Sequence, residues 1–96
     1  MIDLQGLSQK MKQAVVCADT MINAMKENNS WSCYPAVVIT EYNGRGATIR
    51  GCFDSNSKAE KEAEIIAKQK KLAGNVGTTI HIYNGRYLRQ YQQGEN

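Results

Sequence analysis

An α+β fold is predicted for this chain by two helical patterns that alternate with two strand–turn–strand patterns. Residues 4–26 repeat apolar side chains at helical spacing, and a second helical pattern covers residues 57–73. Residues 34–53 and 78–91 are rich in β-branched and aromatic side chains on both sides of an Asn-Gly pair. We therefore expect a long N-terminal helix, a β-hairpin, a helix and a β-hairpin, with the hairpins forming an antiparallel sheet of about four strands.

The length and composition predict one domain. The chain has 96 residues, of which 42% are hydrophobic and 22% charged, values typical of globular proteins. We divide it into a helical arm at 1–29 and a ββαββ unit at 30–96. No apolar run approaches the ~20 residues that cross a bilayer, and the start MIDLQGLSQK lacks the pattern of a signal peptide. We expect no membrane association and a cytoplasmic location.

The first helix carries an apolar seam with steps of three and four residues. Its seam residues are Leu4, Leu7, Met11, Ala14, Ala18, Met21 and Met25. The small pair Ala14 and Ala18 would let a second backbone approach, which suggests a twofold homodimer through residues 4–25. The dimer interface would comprise Leu7, Met11, Ala14, Ala18 and Met21. The alternative is that the same seam packs on the sheet of its own chain.

The tetrapeptide YNGR occurs twice, at 42–45 and at 83–86. Asn-Gly suits a two-residue type I′ turn, in which both central residues have positive φ. We therefore expect the same turn at both hairpin tips, each with a tyrosine before it and an arginine after it.

This turn type predicts the strand registers. In the first hairpin it places Val38 opposite Ile49, and in the second it places Ile82 opposite Tyr87. The face of the first hairpin that contains Val38 and Ile49 is then the better core candidate. The opposite face is mixed and could be solvated or bind a partner; it contains Val37, Ile39, Glu41, Thr48 and Arg50.

The second helix has clear end signals. Ser57-Lys58-Ala59-Glu60 fits a capping box, and Gly74 fits the position after the last helical residue. Small side chains at helical spacing suit close packing on a sheet.

Few residues of the sequence could support catalysis or bind a metal. His81 is the sole histidine, and no acidic, serine or cysteine residue stands at a known catalytic spacing from it. Cys17, Cys33 and Cys52 form no CxxC pair, and we expect them to be buried thiols in a reducing compartment. We expect no enzyme activity, no metal and no cofactor.

Arginine and tyrosine residues around the two turns suggest a binding surface. The net charge of +3 and the pI of about 8.8 permit an anionic partner. Arginine offers a planar fork to phosphate or carboxylate, and tyrosine offers a ring for stacking. The alternative is that these pairs only stabilise the sheet and protect its edges. The predicted contact residues are Tyr42, Arg45, Arg50, Tyr83, Arg86, Tyr87, Arg89, Lys68, Lys70 and Lys71.

The pattern of residues 34–92 resembles very small bacterial and phage proteins, including anti-CRISPR proteins, in which a short antiparallel sheet carries one helix. The segments that carry the resemblance are Tyr42-Asn43-Gly44-Arg45, Ser57-Lys58-Ala59-Glu60 and Tyr83-Asn84-Gly85-Arg86. The resemblance implies a non-catalytic protein that occupies a surface of a host complex handling nucleic acid, in the cytoplasm of a bacterial host.

The leading hypothesis is therefore a small binding protein, encoded by a phage or mobile element, that inhibits a nucleic-acid-directed defence system. Its partner would be a host protein or ribonucleoprotein. One alternative is direct binding of RNA, DNA or a nucleotide, and another is a small enzyme that uses His81.

Overall fold

Two helices and four strands follow one another in the predicted order in a computed structural model that describes residues 4–28, 34–74 and 77–93. The elements are α1 (Gln9–Asn28), β1 (Ala36–Tyr42), β2 (Ala47–Phe53), α2 (Asn56–Leu72), β3 (Thr78–Tyr83) and β4 (Leu88–Gln93). The α+β class and the four-stranded antiparallel sheet are confirmed. Within the described ranges, neither helix is long and apolar enough to cross a membrane.

The strand order is β2-β1-β3-β4, so that β1 and β3 are central and β2 and β4 are edges. β1 runs antiparallel to β3, with Val37 beside Tyr83 and Tyr42 beside Thr78. The first turn follows Tyr42 and the second follows Tyr83, so the two YNGR turns lie at opposite ends of the sheet. Five residue steps of β1 separate these ends, roughly 17 Å.

Helix α1 covers one face of the sheet. Its buried residues pack against Val37, Ile39 and Tyr83; they are Met11, Ala14, Val15, Ala18 and Ile22. The helix begins later than predicted, because Gly6 has a φ of +88° and Ser8 caps the first turn by accepting the amide N–H of Met11 at 3.1 Å.

The seam proposed as a dimer interface therefore belongs to the core of the chain itself. Met11 and Ala18 are fully buried, Ala14 is nearly so, and Leu7 packs at the edge of the same cluster. Met21 lies exposed. The assignment of Leu7, Met11, Ala14 and Ala18 to a dimer interface is thus corrected, because these four residues pack in the core of the chain itself.

Helix α2 covers the other face of the sheet. Ala59, Ala63 and Ile66 are buried against four side chains of the central strands: Ala36, Val38, Ile80 and Ile82. The two alanines allow the helix backbone to approach the strands closely. Because each face of β1 lies under a helix, Val37 and Ile39 are buried and are available neither to solvent nor to a partner.

The first turn has the predicted geometry. Asn43 and Gly44 have φ values of 50° and 73°, and the N–H of Arg45 donates to the carbonyl of Tyr42 at 2.8 Å. The N–H of Tyr42, however, donates to the carbonyl of Gly46, one residue beyond the partner that a two-residue hairpin would use.

This extra residue changes the register of the first hairpin. Ile39 pairs with Ile49, and a further irregularity between Val38 and Ile39 places Val38 opposite Gly51. A shift by one residue moves side chains to the other face, so Ile49 lies under α1 and not under α2.

The second YNGR segment forms a different turn. Only Gly85 has positive φ, and the side-chain oxygen of the buried Asn84 accepts the N–H groups of Arg86 and Tyr87 at 2.9 and 3.1 Å. Gly85 and Arg86 thus occupy the turn, and Tyr83 pairs with Leu88. The predicted register is wrong by two residues next to the turn, an even shift that leaves each side chain on its predicted face.

The cap of α2 also differs from the prediction. The hydroxyl of Ser55, not of Ser57, accepts the N–H of Lys58 at 3.2 Å. At the other end Gly74 has a φ of +71° and donates to the carbonyl of Lys71 at 3.1 Å, as predicted for a helix stop.

Replacement of Ser55 with alanine is expected to lower the free energy of unfolding by about 1 kcal/mol, because the N–H of Lys58 loses its acceptor. Ser57→Ala is the matched control and should change it by less than about 0.5 kcal/mol. Urea titrations followed by circular dichroism measure both. Equal effects of the two substitutions would contradict the assigned cap.

Candidate functional site

The predicted contact residues do not form one surface. Tyr42 and Arg45 lie exposed at the end of the sheet where β3 begins, whereas Arg86 and Tyr87 lie exposed at the opposite end. Arg50 is exposed on the edge strand β2. A compact ligand can therefore contact one of the two tips, and the chemistry of each end has to be judged separately.

One end carries a group of three side chains that we name the Tyr34 platform: Lys26, Tyr34 and Arg86. The guanidinium carbon of Arg86 lies 3.9 Å from the centre of the Tyr34 ring, and the Lys26 ammonium lies 4.2 Å from it. Arg86 also donates a hydrogen bond to the Tyr34 hydroxyl. Lys26 comes from the last turn of α1, so helix, loop and hairpin tip meet here.

The two cations of the Tyr34 platform are held by a ring and not by a carboxylate. Neither forms an ion pair within the described part of the chain. Cation–π contacts orient a cation and leave its positive charge uncompensated. Arg86 and Tyr34 are both exposed. This end can therefore receive a carboxylate or phosphate from a partner.

Arg89 and Lys68 differ from these cations because each has an acidic partner. Arg89 pairs with Glu60 of α2, and Lys68 lies 3.3 Å from Glu64. Both pairs are at the surface, where ion pairs contribute little to stability. Arg89 thus joins β4 to α2, and its charge is paired with that of Glu60 within the chain itself.

Tyr83 is not available for stacking on a partner. Its side chain is fully buried under α1, and its hydroxyl donates to the carboxylate of Asp19 at 2.8 Å. Burial, together with the hydrogen bond and negative charge of Asp19, raises the pKa of Tyr83 well above its ordinary value. The assignment of Tyr83 as a contact residue is corrected, since the tyrosine belongs to the core. Tyr87 remains exposed, with its hydroxyl 3.5 Å from the Asn56 amide.

The basic end of α2 forms one side of a groove against β4. The groove has a volume of about 240 Å³ and is lined by Glu64, Ala67, Lys68, Lys71 and Tyr91. Lys70 is half-buried and does not line it. Two lysines beside a tyrosine ring are able to contact phosphate and base groups, although Glu64 offsets part of the positive charge.

A polar cluster joins α1, β1 and β3 on the α1 face. Glu41 accepts the hydroxyl of Ser8 at 2.7 Å with one carboxylate oxygen, and its other oxygen lies 3.3 Å from Nε2 of His81. In a serine–histidine–acid triad the hydroxyl donates to the imidazole. Here both groups contact the carboxylate instead, so the cluster has the geometry of a structural link and not of that triad.

His81 is nearly buried, and burial lowers its pKa from the ordinary value, an effect that exceeds the opposing influence of Glu41. The unfolded chain therefore binds more protons than the folded chain just below pH 6.5. The stability that depends on neutral His81 is fully present above the unfolded-state pKa of about 6.5. It decreases as the pH falls toward the lower pKa of the folded state.

We expect the urea midpoint to decrease between pH 7.5 and about pH 5.5, a range above most carboxylate titration. Because the chain has one histidine, His81→Gln is a clean control. The variant should show a flatter pH dependence over the same range. An unchanged slope in His81→Gln would assign the effect to other groups.

The thiols do not share one environment. Cys17 is exposed, which corrects the expectation that it is buried. Cys52 is half-buried on β2, and burial raises its pKa. Cys33 lies outside the described residues. Among the residues described, no cluster of three or more histidine, cysteine or acidic side chains could hold a metal ion.

Sequence reasoning missed the residues that act through tertiary contacts. Lys26 and Tyr34 are separated from Arg86 by more than 50 positions. Glu41 is 40 positions from His81, and Asp19 is 64 positions from Tyr83. The sequence signal that pointed to Lys26 was a basic residue in the last turn of a predicted helix. No local pattern in the sequence indicated the contacts of Tyr34, Glu41 or Asp19.

Comparison of the chain with protein-family models, with curated proteins and with solved structures gave no match.

Proposed function

We propose that this chain is a non-catalytic binding protein that uses the Tyr34 platform to occupy an acidic surface of a partner protein. The observation that carries the proposal is the pair of cations on the Tyr34 ring without a carboxylate partner among the described residues. Because the Tyr34 ring already orients the Arg86 guanidinium, the side chain loses less conformational entropy when a partner binds. Arginine and tyrosine at the centre of a contact are typical of residues that dominate binding energy.

The partner that fits the sequence resemblance is a bacterial complex that handles nucleic acid. Such complexes bind phosphate at basic surfaces, so the cationic Tyr34 platform would occupy an acidic surface elsewhere on the complex. In this form the chain is an inhibitor of a nucleic-acid-directed defence system, encoded by a phage or mobile element. The resemblance supports this finer assignment, and the platform supports only the contact with an anionic group.

Affinity capture with a paired set of arginine variants tests the proposal. The tagged chain is incubated with bacterial lysate, with and without nuclease, and the bound proteins are identified. We expect a captured protein that survives nuclease treatment. Arg86→Gln should weaken its binding by about tenfold or more, since the contact loses its central charge.

Arg45→Gln is the matched control, because Arg45 follows the other YNGR turn and lies exposed at the opposite end of the sheet. It removes the same charge and should retain the partner. Equal loss of partner binding in both variants would indicate a general effect of charge. Unchanged partner binding by Arg86→Gln would show that the Tyr34 platform is not the binding site.

A second candidate function is direct binding of RNA, DNA or a nucleotide. The observation in its favour is the groove in which Lys68 and Lys71 flank Tyr91. Binding of labelled single-stranded RNA should then weaken steeply between 50 and about 200 mM salt, because each phosphate contact releases counterions. Lys71→Gln should weaken it further, with Lys61→Gln as the control on the same helix. Absence of binding to RNA, to DNA and to a nucleotide at low salt would exclude this function.

A further inference from the structure

The outer face of α1 carries a pattern that is complementary to itself. We define this face by six exposed residues: Lys10, Gln13, Cys17, Thr20, Ala24 and Glu27. They follow one another in steps of three, four, three, four and three residues, which is the same order in both directions. This spacing places the six side chains on one face of the helix.

The middle of this face lacks the charges expected on a solvated helix. From Gln13 to Ala24 every exposed residue of α1 is uncharged, and Val16 and Met21, beside the stripe, remain 48% and 36% exposed. By contrast, the exposed surface of α2 is dominated by charged residues such as Lys58, Lys61 and Glu64. An uncharged helix face with exposed aliphatic side chains suits contact with another protein surface.

Charge complementarity identifies the occupant of this face. Lys10 and Glu27 have opposite charges and lie at the two ends of the stripe, about 26 Å apart along the helix. A second copy placed antiparallel brings Lys10 opposite Glu27 at both ends of the pair. A parallel copy would place like charges opposite each other.

We propose that this protein forms a twofold homodimer in which the outer faces of two α1 helices pack antiparallel. Gln13 lies opposite Ala24 of the second copy, and Cys17 lies opposite Thr20 at the centre. The seam of Met11, Ala14 and Ala18 stays within each chain. This interface therefore lies on the opposite side of α1 from the seam that the sequence alone suggested.

The helix pair carries one Tyr34 platform toward each end, because Lys26 adjoins Glu27 in the sequence. Two platforms in one dimer would bind a partner with two acidic sites more tightly than one. This consequence depends on the proposed function, whereas the pairing itself does not.

Sedimentation of the full chain at micromolar concentrations tests the dimer. Val16→Arg should raise the dimer dissociation constant by about tenfold or more, since it places a charge beside the uncharged stripe. Ile65→Arg on α2 is the matched control, because Ile65 is 50% exposed. It should leave the dissociation constant unchanged. A monomeric wild-type chain at about 100 μM, or a dimer that Val16→Arg leaves intact, would overturn the proposal.

Charge reversal tests the antiparallel direction. Lys10→Glu should raise the dissociation constant about fivefold at low salt, because two attractive pairs become repulsive. The double variant Lys10→Glu with Glu27→Lys restores attraction only in an antiparallel pair. Failure of the double variant to recover wild-type dimerisation would overturn the proposed arrangement. Circular dichroism of each variant establishes that it is folded.

Discussion

Replacement of Tyr83 with alanine is expected to lower the free energy of unfolding by about 3–5 kcal/mol. The Tyr83 side chain is fully buried between the sheet and helix α1, so its removal leaves a cavity in the core. A domain of this size has a total stability of about 5–15 kcal/mol. The variant should therefore be close to unfolding at 37 °C, as measured by urea and thermal titrations.

Two companion variants separate the contributions to this effect. Tyr83→Phe keeps the ring and removes the hydroxyl that donates to Asp19, so it should cost about 1–2 kcal/mol. Tyr87→Ala, an exposed tyrosine of the same hairpin, should cost less than about 1 kcal/mol. Similar costs for Tyr83→Ala and Tyr87→Ala would contradict the burial of Tyr83 and return it to the set of contact residues.

Replacement of Ala18 with leucine is the second substitution with a large expected effect. Ala18 is fully buried where α1 lies on the sheet, and a larger side chain would force the helix away from Val37 and Ile39. Overpacking of this kind costs about 1–3 kcal/mol or more. Urea unfolding at submicromolar protein concentration, below the range of self-association, should show the loss.

Ala24→Leu is its matched control on the same helix. Ala24 is exposed, and leucine and alanine both favour helix formation. The free energy of unfolding should therefore change by less than about 0.5 kcal/mol. If Ala18→Leu lowered the free energy of unfolding as little as Ala24→Leu, the seam would not pack on the sheet. That result would support its assignment to an interface between two chains. The pair thus distinguishes the inner and outer faces of α1.

The Tyr34 platform and the outer face of α1 are independent hypotheses. Arg86→Gln should weaken binding of the partner protein and leave the dimer intact. Val16→Arg should weaken the association of the two chains in the dimer. Loss of dimerisation in Arg86→Gln would show that the two surfaces are connected. Measuring both properties in both variants therefore keeps the failure of one hypothesis distinguishable from the failure of the other.

Local sequence signals were sufficient for the elements and for several of their ends. The helical periodicity, the β-branched runs and the Asn-Gly pair at 43–44 predicted the α+β class and the type of the first turn. Gly74 marked the end of α2. These features depend on contacts between residues within a few positions of each other, which is why sequence patterns report them.

Identical local sequence was not sufficient for the second turn. YNGR forms a type I′ turn at 42–45, but at 83–86 the buried side chain of Asn84 accepts two backbone N–H groups and moves the turn by one residue. The two tips differ in their surroundings, because Asn84 is buried whereas Asn43 is exposed. Tertiary contact therefore decides between turns that have similar local energies.

By itself, the sequence of this chain determined which segments are helices and strands, because hydrophobic period and turn chemistry act over short distances. The tertiary structure decided everything that depends on which segments meet. It ordered the strands β2-β1-β3-β4, placed a helix on each face, separated the two arginine-bearing tips and brought Lys26 and Arg86 to Tyr34. These outcomes depend on the burial of apolar surface between distant segments, a property that no short stretch of sequence contains.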